Sequence, residues 1–302
     1  VKKAIVGKDE VVARALMVVL SRGHILLEDV PGVGKTTLAL AFSRAMGIEY
    51  RRVQFTPDVV PSDILGFSIY DKETGNLVYK PGAVMCNLLL ADEINRTSSK
   101  TQSALLEVME ERQVSIDGVT HALPDPFLVI ATQNPVGAAG TQLLPQAQLD
   151  RFMARLKMGY PDFNSQVRIL RDRKGENPLN QVSQAVDAAA VRRMQGEVDS
   201  LNVADSIYEY ITHLAQATRE HAVVQLGVSP RGALAVLKMA QARAYVSGRD
   251  YVLPEDAAAV FGDVCAHRLV LSPKAKLAGK TAEDVIREVL ASVRMPLAGA
   301  RG

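Results

Sequence analysis

The sequence predicts an α/β protein: a parallel sheet of five strands covered by helices, followed by a smaller all-helical C-terminal unit. Three observations predict it. Short continuous apolar runs such as Leu88-Leu89-Leu90-Ala91 alternate with segments of helical spacing, as in a sheet buried on both faces. One such run, Ile25-Leu26-Leu27, passes through Glu28-Asp29-Val30-Pro31-Gly32-Val33-Gly34-Lys35-Thr36-Thr37 into the helical pattern Leu38–Phe42. That is strand, glycine-rich loop and helix, the order a phosphate-binding loop needs. From Asp187 onward the periodicity is nearly all helical.

Taken in order, Lys8 to Arg22 carries apolar residues at Val11, Ala15, Val18 and Val19, a helical spacing closed by Ser21-Arg22-Gly23, where Gly23 suits the position just past a helix end. A first strand is expected over Gly23–Leu27, a helix from the glycine-rich loop to Met46, and a second strand over Tyr50–Phe55. Phe67–Tyr70 and Leu77–Tyr79 flank a short loop containing Thr74-Gly75-Asn76 and predict a hairpin. Asn87–Ala91 reads as a central strand, and Thr97-Ser98-Ser99 offers caps for a helix over Lys100–Arg112. Val114–Thr120 alternates on both sides of Asp117-Gly118, a second hairpin. Phe127–Thr132 and Arg155–Met158 complete the strands.

Residues 161–186 are polar and read as a connector between a core of residues 1–160 and a helical unit of residues 187–302. Helices are expected over Ala188–Val198, Val203–Glu220, Pro230–Val246, Pro254–His267 and Thr281–Val293. Pro230 and Pro254 stand at first helical positions, and Thr281–Asp284 resembles a capping box.

Length and composition narrow the function classes. A chain of 302 residues, 48% hydrophobic and 23% charged, can bury its own core. No apolar run reaches the roughly 18 residues of a membrane span, and no leader-like segment is present in a chain that begins at Val1, upstream of which further residues are expected. Cys86 and Cys265 form no metal-binding spacing and read as reduced residues of a cytoplasmic protein. The five histidines are scattered. A net charge of +2 without a basic block gives no footprint for nucleic acid.

The chemistry concentrates at strand ends. Backbone N–H groups of Gly32–Thr37 can ring a phosphate, with the helix N-terminus adding positive potential. Lys35 would reach the β- and γ-phosphates and Thr36 would ligate Mg²⁺. The loop departs from the usual GxxxxGKT pattern in carrying Asp29 where the first glycine stands. Asp92 and Glu93, delivered by an apolar strand to the same sheet edge, suit holding Mg²⁺ through water and polarising the attacking water, respectively. A second carboxylate aimed at water argues against a simple kinase. Asn134, after the neighbouring strand, would address the same water, although Thr132–Pro135 also suits a plain turn. Arg151, just before the final strand, suits an arginine that reaches a neighbouring subunit's nucleotide, with Arg155 as rival. Arg231, at a helix N-terminus where it opposes the macrodipole, points to a phosphate partner.

Together these stretches resemble the AAA+ ATPases and, within them, the MoxR family. The likeness rests on Gly23–Thr36, Asn87–Arg96, Lys100–Glu107, Met109–Val114, Ala131–Pro135, Leu149–Phe152 and Ser229-Pro230-Arg231. It implies a P-loop AAA+ αβα core with a helical lid, ATP and Mg²⁺ as ligands, and a family that tolerates an acidic residue at Asp29. It assigns nucleotide binding to Asp29, Pro31, Gly32, Val33, Gly34, Lys35, Thr36 and Thr37, and the Walker B carboxylates to Asp92 and Glu93. It makes Asn134 sensor 1, Arg151 the arginine finger and Arg231 sensor 2. It further implies a hexameric ring, two inserted hairpins facing the pore or client, partners with von Willebrand factor A domains, and a chaperone-like role in maturing protein complexes. A DNA-engaged motor of helicase type shares these motifs, but the second hairpin's tip, Ile116-Asp117-Gly118-Val119, is acidic where DNA would want Lys or Arg. No GAFTGA-like loop suggests an enhancer-binding activator. A non-hydrolysing scaffold is disfavoured by Asp92, Glu93 and Arg151.

Overall fold

The computed structural model describes residues 1–133, 144–172 and 177–296. The chain runs α1 (Asp9–Leu20), β1 (Ile25–Glu28), α2 (Lys35–Met46), β2 (Tyr50–Gln54), α3 (Pro61–Leu65), β3 (Gly66–Tyr70), β4 (Leu77–Pro81), β5 (Leu88–Asp92), α4 (Ser99–Glu111), β6 (Gln113–Ile116), β7 (Val119–Ala122), β8 (Leu128–Gln133), α5 (Gln146–Leu149), β9 (Ala154–Leu156) and α6 (Phe163–Asp172). It continues through α7 (Ala188–Asp199), α8 (Asp205–Glu220), β10 (Val224–Leu226), α9 (Pro230–Val246), α10 (Pro254–Cys265), β11 (Val270–Leu271), α11 (Pro273–Leu277) and α12 (Ala282–Ser292).

The main sheet has five strands in the order β2-β5-β8-β1-β9, with β2, β5, β8 and β1 paired in parallel. Leu26, Leu27, Leu88, Leu89, Leu90, Val129 and Ile130 are fully buried, which explains why these strands read as unbroken apolar runs rather than alternating ones. Sequence order is reshuffled so that β1 and β5, about sixty residues apart, both flank β8. Every strand that matters for the chemistry therefore ends at one edge.

The chain divides into two compact units. The first holds residues 1–15, 24–151 and 156–192, and the second residues 16–23, 152–155 and 193–302. In the first unit the two expected hairpins are present as β3–β4 and β6–β7. The β3–β4 ribbon leaves Phe67 50%, Tyr70 64% and Leu77 61% exposed. The hairpins meet where the Tyr79 and His121 rings stack, 3.9 Å between centroids and 14° between planes. Tyr79 Oη is anchored by donating to Leu65 O at 2.5 Å.

The second unit is helical, as expected, with one correction. It is not all helix, because β10 and β11 pair as a small antiparallel ribbon. Caps explain its helix starts: Ser229 accepts from Gly232 N, and Thr281 and Asp284 form the reciprocal capping box. At the end of α1 the left-handed residue is Arg22, with φ 56°, and not Gly23. Glycine is needed at 23 for space, since a Cβ there would stand 2.5 Å from the Met153 sulfur. Among the described residues no helix is long and apolar enough to cross a membrane.

Candidate nucleotide-binding site

The site begins with backbone shape. Gly32 and Gly34 adopt φ of 86° and 97°, a region L side chains rarely enter. A Cβ on Gly32 would meet nothing within 4 Å, and one on Gly34 would meet only Met158 Cε at 3.7 Å, so there is open space beside both glycines. Gly34 is the N-cap of α2 and receives no side-chain cap bond, which leaves the first turn, Lys35 to Thr37, with donors for an anion. Val33 and Thr37 line the same hollow, a cavity of about 640 Å³. That volume falls in the range of about 300–1,000 Å³ typical of small-molecule sites.

The far walls of this cavity were not visible in the sequence. Ile5 and Val6 from the N-terminal segment, Met158 and Tyr160 after β9, and Ile169 of α6 supply an apolar lining opposite the polar loop. The glycine-rich end suits phosphates and the apolar end suits a flat ring.

Lys35 is 8% exposed, and its Nζ donates to Asp29 O at 2.8 Å. Burial lowers its pKa from the usual 10.5, and the carboxylates of Asp29, Asp92 and Glu93 oppose that shift. Lys35 thus shares one electrostatic neighbourhood with Asp92 and Glu93, more than fifty residues further along the chain. Asp29, the departure from the glycine pattern, is structural in its contacts: its carboxylate accepts from Val30 N at 3.0 Å and from Gly159 N at 2.6 Å.

Asp92 and Glu93 leave the end of β5. Glu93 sits in the left-handed region at φ 58°, uncommon for a non-glycine residue, and such strain is often found at functional positions. Thr132 of β8, fully buried, donates to Asp92 Oδ1 at 2.6 Å and accepts from Glu93 N at 2.9 Å. Arg52 reaches Asp92 Oδ2 at 2.6 Å, Gln54 donates to Glu93 Oε2 at 2.7 Å, and Arg96 reaches the same oxygen at 3.0 Å. Arg52, Gln54 and Thr132 escaped the sequence reading. The available signal was polar residues two apart on β2, which share one face of a strand.

Thr36 in the first turn of α2 carries a hydroxyl and Asp92 at the end of β5 a carboxylate, both donor types that a hard divalent cation takes. Among the described residues no group of three or more His, Cys, Asp or Glu could hold a metal alone. A Mg²⁺ ion here would rely on water and substrate phosphates for its remaining ligands, which is the ion's usual habit.

Asn134 lies outside the described residues. Arg151 follows α5, and its Nε stands 3.3 Å from Glu110 Oε2 at the end of α4. Arg155 lies within β9 and donates to Glu283 Oε1 at 3.0 Å. Arg231 is exposed in the first turn of α9, in the second unit.

Comparison with known proteins agrees with this geometry. The family model described as "ATPase family associated with various cellular activities (AAA)" matches residues 24–154, and the AAA lid domain model matches residues 216–289. The chain is 47% identical over 297 residues to protein YeaC of Bacillus subtilis (strain 168), covering 98% of this chain and 93% of that one. It is 43% identical over 305 residues to chaperone MoxR1 of Mycobacterium tuberculosis, covering 98% and 80%. A crystal structure of a candidate ATPase from Cytophaga hutchinsonii matches with a TM-score of 0.90 at 38% identity, covering 98% of this chain and 92% of that one. With a sheet, a lid and a glycine-rich loop of this kind, and relatives of this closeness along nearly its whole length, the chain belongs to the MoxR family of AAA+ ATPases.

Proposed function

We propose that the protein hydrolyses Mg-ATP between the subunits of a hexameric ring and uses the energy, as a chaperone, to mature or assemble partner protein complexes. The observation that carries the reading is the shared electrostatic neighbourhood of Lys35, Asp92 and Glu93 beside an open glycine cradle. In this reading residues 1–160 form the nucleotide-binding core, 161–186 connect while lending Ile169 to the cavity wall, and 187–302 form the lid.

Gly32, Val33, Gly34 and Thr37 hold the phosphates through main-chain donors and the helix start, aided by Pro31, whose fixed φ shapes the turn. Lys35 exchanges the Asp29 carbonyl for phosphate oxygens. Thr36 and Asp92 would hold Mg²⁺, which when bound neutralises charge developing between the β- and γ-phosphates. Glu93 orients the attacking water, assisted by Asn134. Release of Glu93 from Gln54 and Arg96 frees its carboxylate for that water. Arg151 of the neighbouring subunit stabilises the developing charge, and Arg231 senses the γ-phosphate. The ring follows from this division, because a finger supplied in trans makes the interface head-to-tail and closure gives a ring. The exposed apolar ribbon of β3–β4 is the surface we assign to the client. A von Willebrand factor A-domain protein is the partner the family reading implies.

The test is nucleotide binding and turnover in Lys35→Ala and Glu93→Gln, followed against protein concentration with light scattering for mass. Lys35→Ala should lose binding. Glu93→Gln should bind ATP yet turn it over about 10²–10⁴ more slowly. Undiminished ATP binding by Lys35→Ala sinks the loop assignment, and turnover per chain that ignores assembly sinks the shared site.

A further inference from the structure

The segment 152–155 packs with the second unit, although Arg151 immediately before it belongs to the first. Its main chain is gripped by two side chains from the 3₁₀ turn Ala266–Arg268 that follows α10. Arg268 Nη2 donates to Phe152 O at 2.8 Å, and Nη1 donates to Met153 O at 3.2 Å and to Val264 O. His267 Nε2 stands 3.1 Å from the same Phe152 O and 2.8 Å from Arg268 Nη1. Both side chains are 4% exposed.

Burying a guanidinium is costly, and its rigid planar fork is suited to holding two acceptors at a set angle. Here the acceptors are consecutive carbonyls, so what the fork sets is the direction of the backbone. The space is also reserved: a Cβ at Gly232 would stand 2.9 Å from Arg268 Cδ, so the first turn of α9 carries glycine where Arg268 passes. The grip begins one peptide bond beyond Arg151, whose own guanidinium is otherwise engaged by Glu110.

We propose that Arg268, backed by His267, is a positioning residue for Arg151: by holding the carbonyls of Phe152 and Met153 it sets the Cα from which Arg151 reaches the neighbouring subunit. The inference rests on the trans-acting reading of Arg151. It predicts an asymmetric defect, in which a subunit altered at Arg268 keeps a competent nucleotide site of its own and fails only as a donor of the finger.

The experiment is ATP turnover in mixed assemblies. Arg268→Lys keeps the charge but loses the fork, and alone it should lose turnover by about tenfold or more, within the about 10³–10⁵ such an arginine contributes, at unchanged ATP affinity. Mixed in equal amounts with Glu93→Gln subunits, which lack a working site but donate a normal finger, it should regain turnover, since about one head-to-tail interface in four then pairs a good site with a good finger. His267→Gln should show the same pattern at smaller amplitude. Arg151→Ala mixed with Glu93→Gln is the reference. If that reference pair fails to complement, the trans reading of Arg151 falls and this inference with it. If the reference complements while Arg268→Lys and His267→Gln lose turnover that Glu93→Gln does not restore, Arg268 has a structural role only and the inference alone is overturned. Wild-type turnover in Arg268→Lys overturns it as well.

Discussion

Asp29 Oδ2 accepts a hydrogen bond from Gly159 N at 2.6 Å, joining the base of the phosphate loop to the segment that leaves β9. The same residue's carbonyl receives the Lys35 ammonium. The side chain that breaks the usual glycine pattern thus braces the loop, accepting from Val30 N within it and from Gly159 N beyond it. Restoring the pattern with Asp29→Gly should destabilise the first unit by about 1.5–3 kcal/mol, the range for a hydrogen bond to a charged group. Asp29→Asn, which keeps an acceptor, should lose less. Urea unfolding of the two variants checks the order, and equal stability of Asp29→Gly and wild type would show the brace to be idle.

Thr132 is the hinge pin of the carboxylate pair. Thr132→Val preserves shape but removes both the donor to Asp92 and the acceptor for Glu93 N. A buried N–H without a partner costs about 1–3 kcal/mol, and the loss of orientation should reduce kcat more than it raises KM for ATP. Steady-state kinetics separate the two. A pure KM effect would mean Thr132 serves binding alone.

His267 gives the second unit a pH signature. Burial, followed by the charge of Arg268, holds its pKa well below the usual 6.5. As pH falls through 6.5 the unfolded chain takes up a proton that the native ring refuses. Stability is therefore full above 6.5 and declines below it, by at most about 1.4 kcal/mol per pH unit, until the folded-state pKa is reached. Denaturation between pH 7 and 5 should show this slope in wild type and a flatter one in His267→Gln.

Cys86 is buried, and burial pushes its thiol up to about 12. The native protein should resist alkylation at that residue at pH 8, where a free thiol near 8.5 reacts readily. Peptide mapping after iodoacetamide, with and without urea, should find Cys86 modified only when unfolded.

Local patterns carried most of what was legible in the sequence. The glycine-rich loop, both hairpins and the proline-started helices each declare themselves within about ten residues, because their physics is backbone conformation and short-range capping. The hidden parts depend on register between distant strands. Gln54 pairs across from Asp92, and Thr132 lies across from Leu27, through sheet pairings that no local pattern announces. The ribbon of β10 and β11 escaped because strands of three and two residues are too short to show a period. Ile5, Val6 and Met158 gave only an apolar composition, which a core residue shares.

The ring pair of Tyr79 and His121 has a mechanical consequence. Parallel rings in contact resist compression far more than they resist sliding, since an offset stack is as favourable as a centred one or better. The junction between the two hairpins is therefore a bearing surface. A push along the normal of the rings passes from one hairpin to the other, whereas a shear in their plane is absorbed. α4 leads into β6 through the left-handed turn at Arg112, so this bearing stands between the hairpin that follows that helix and the apolar ribbon.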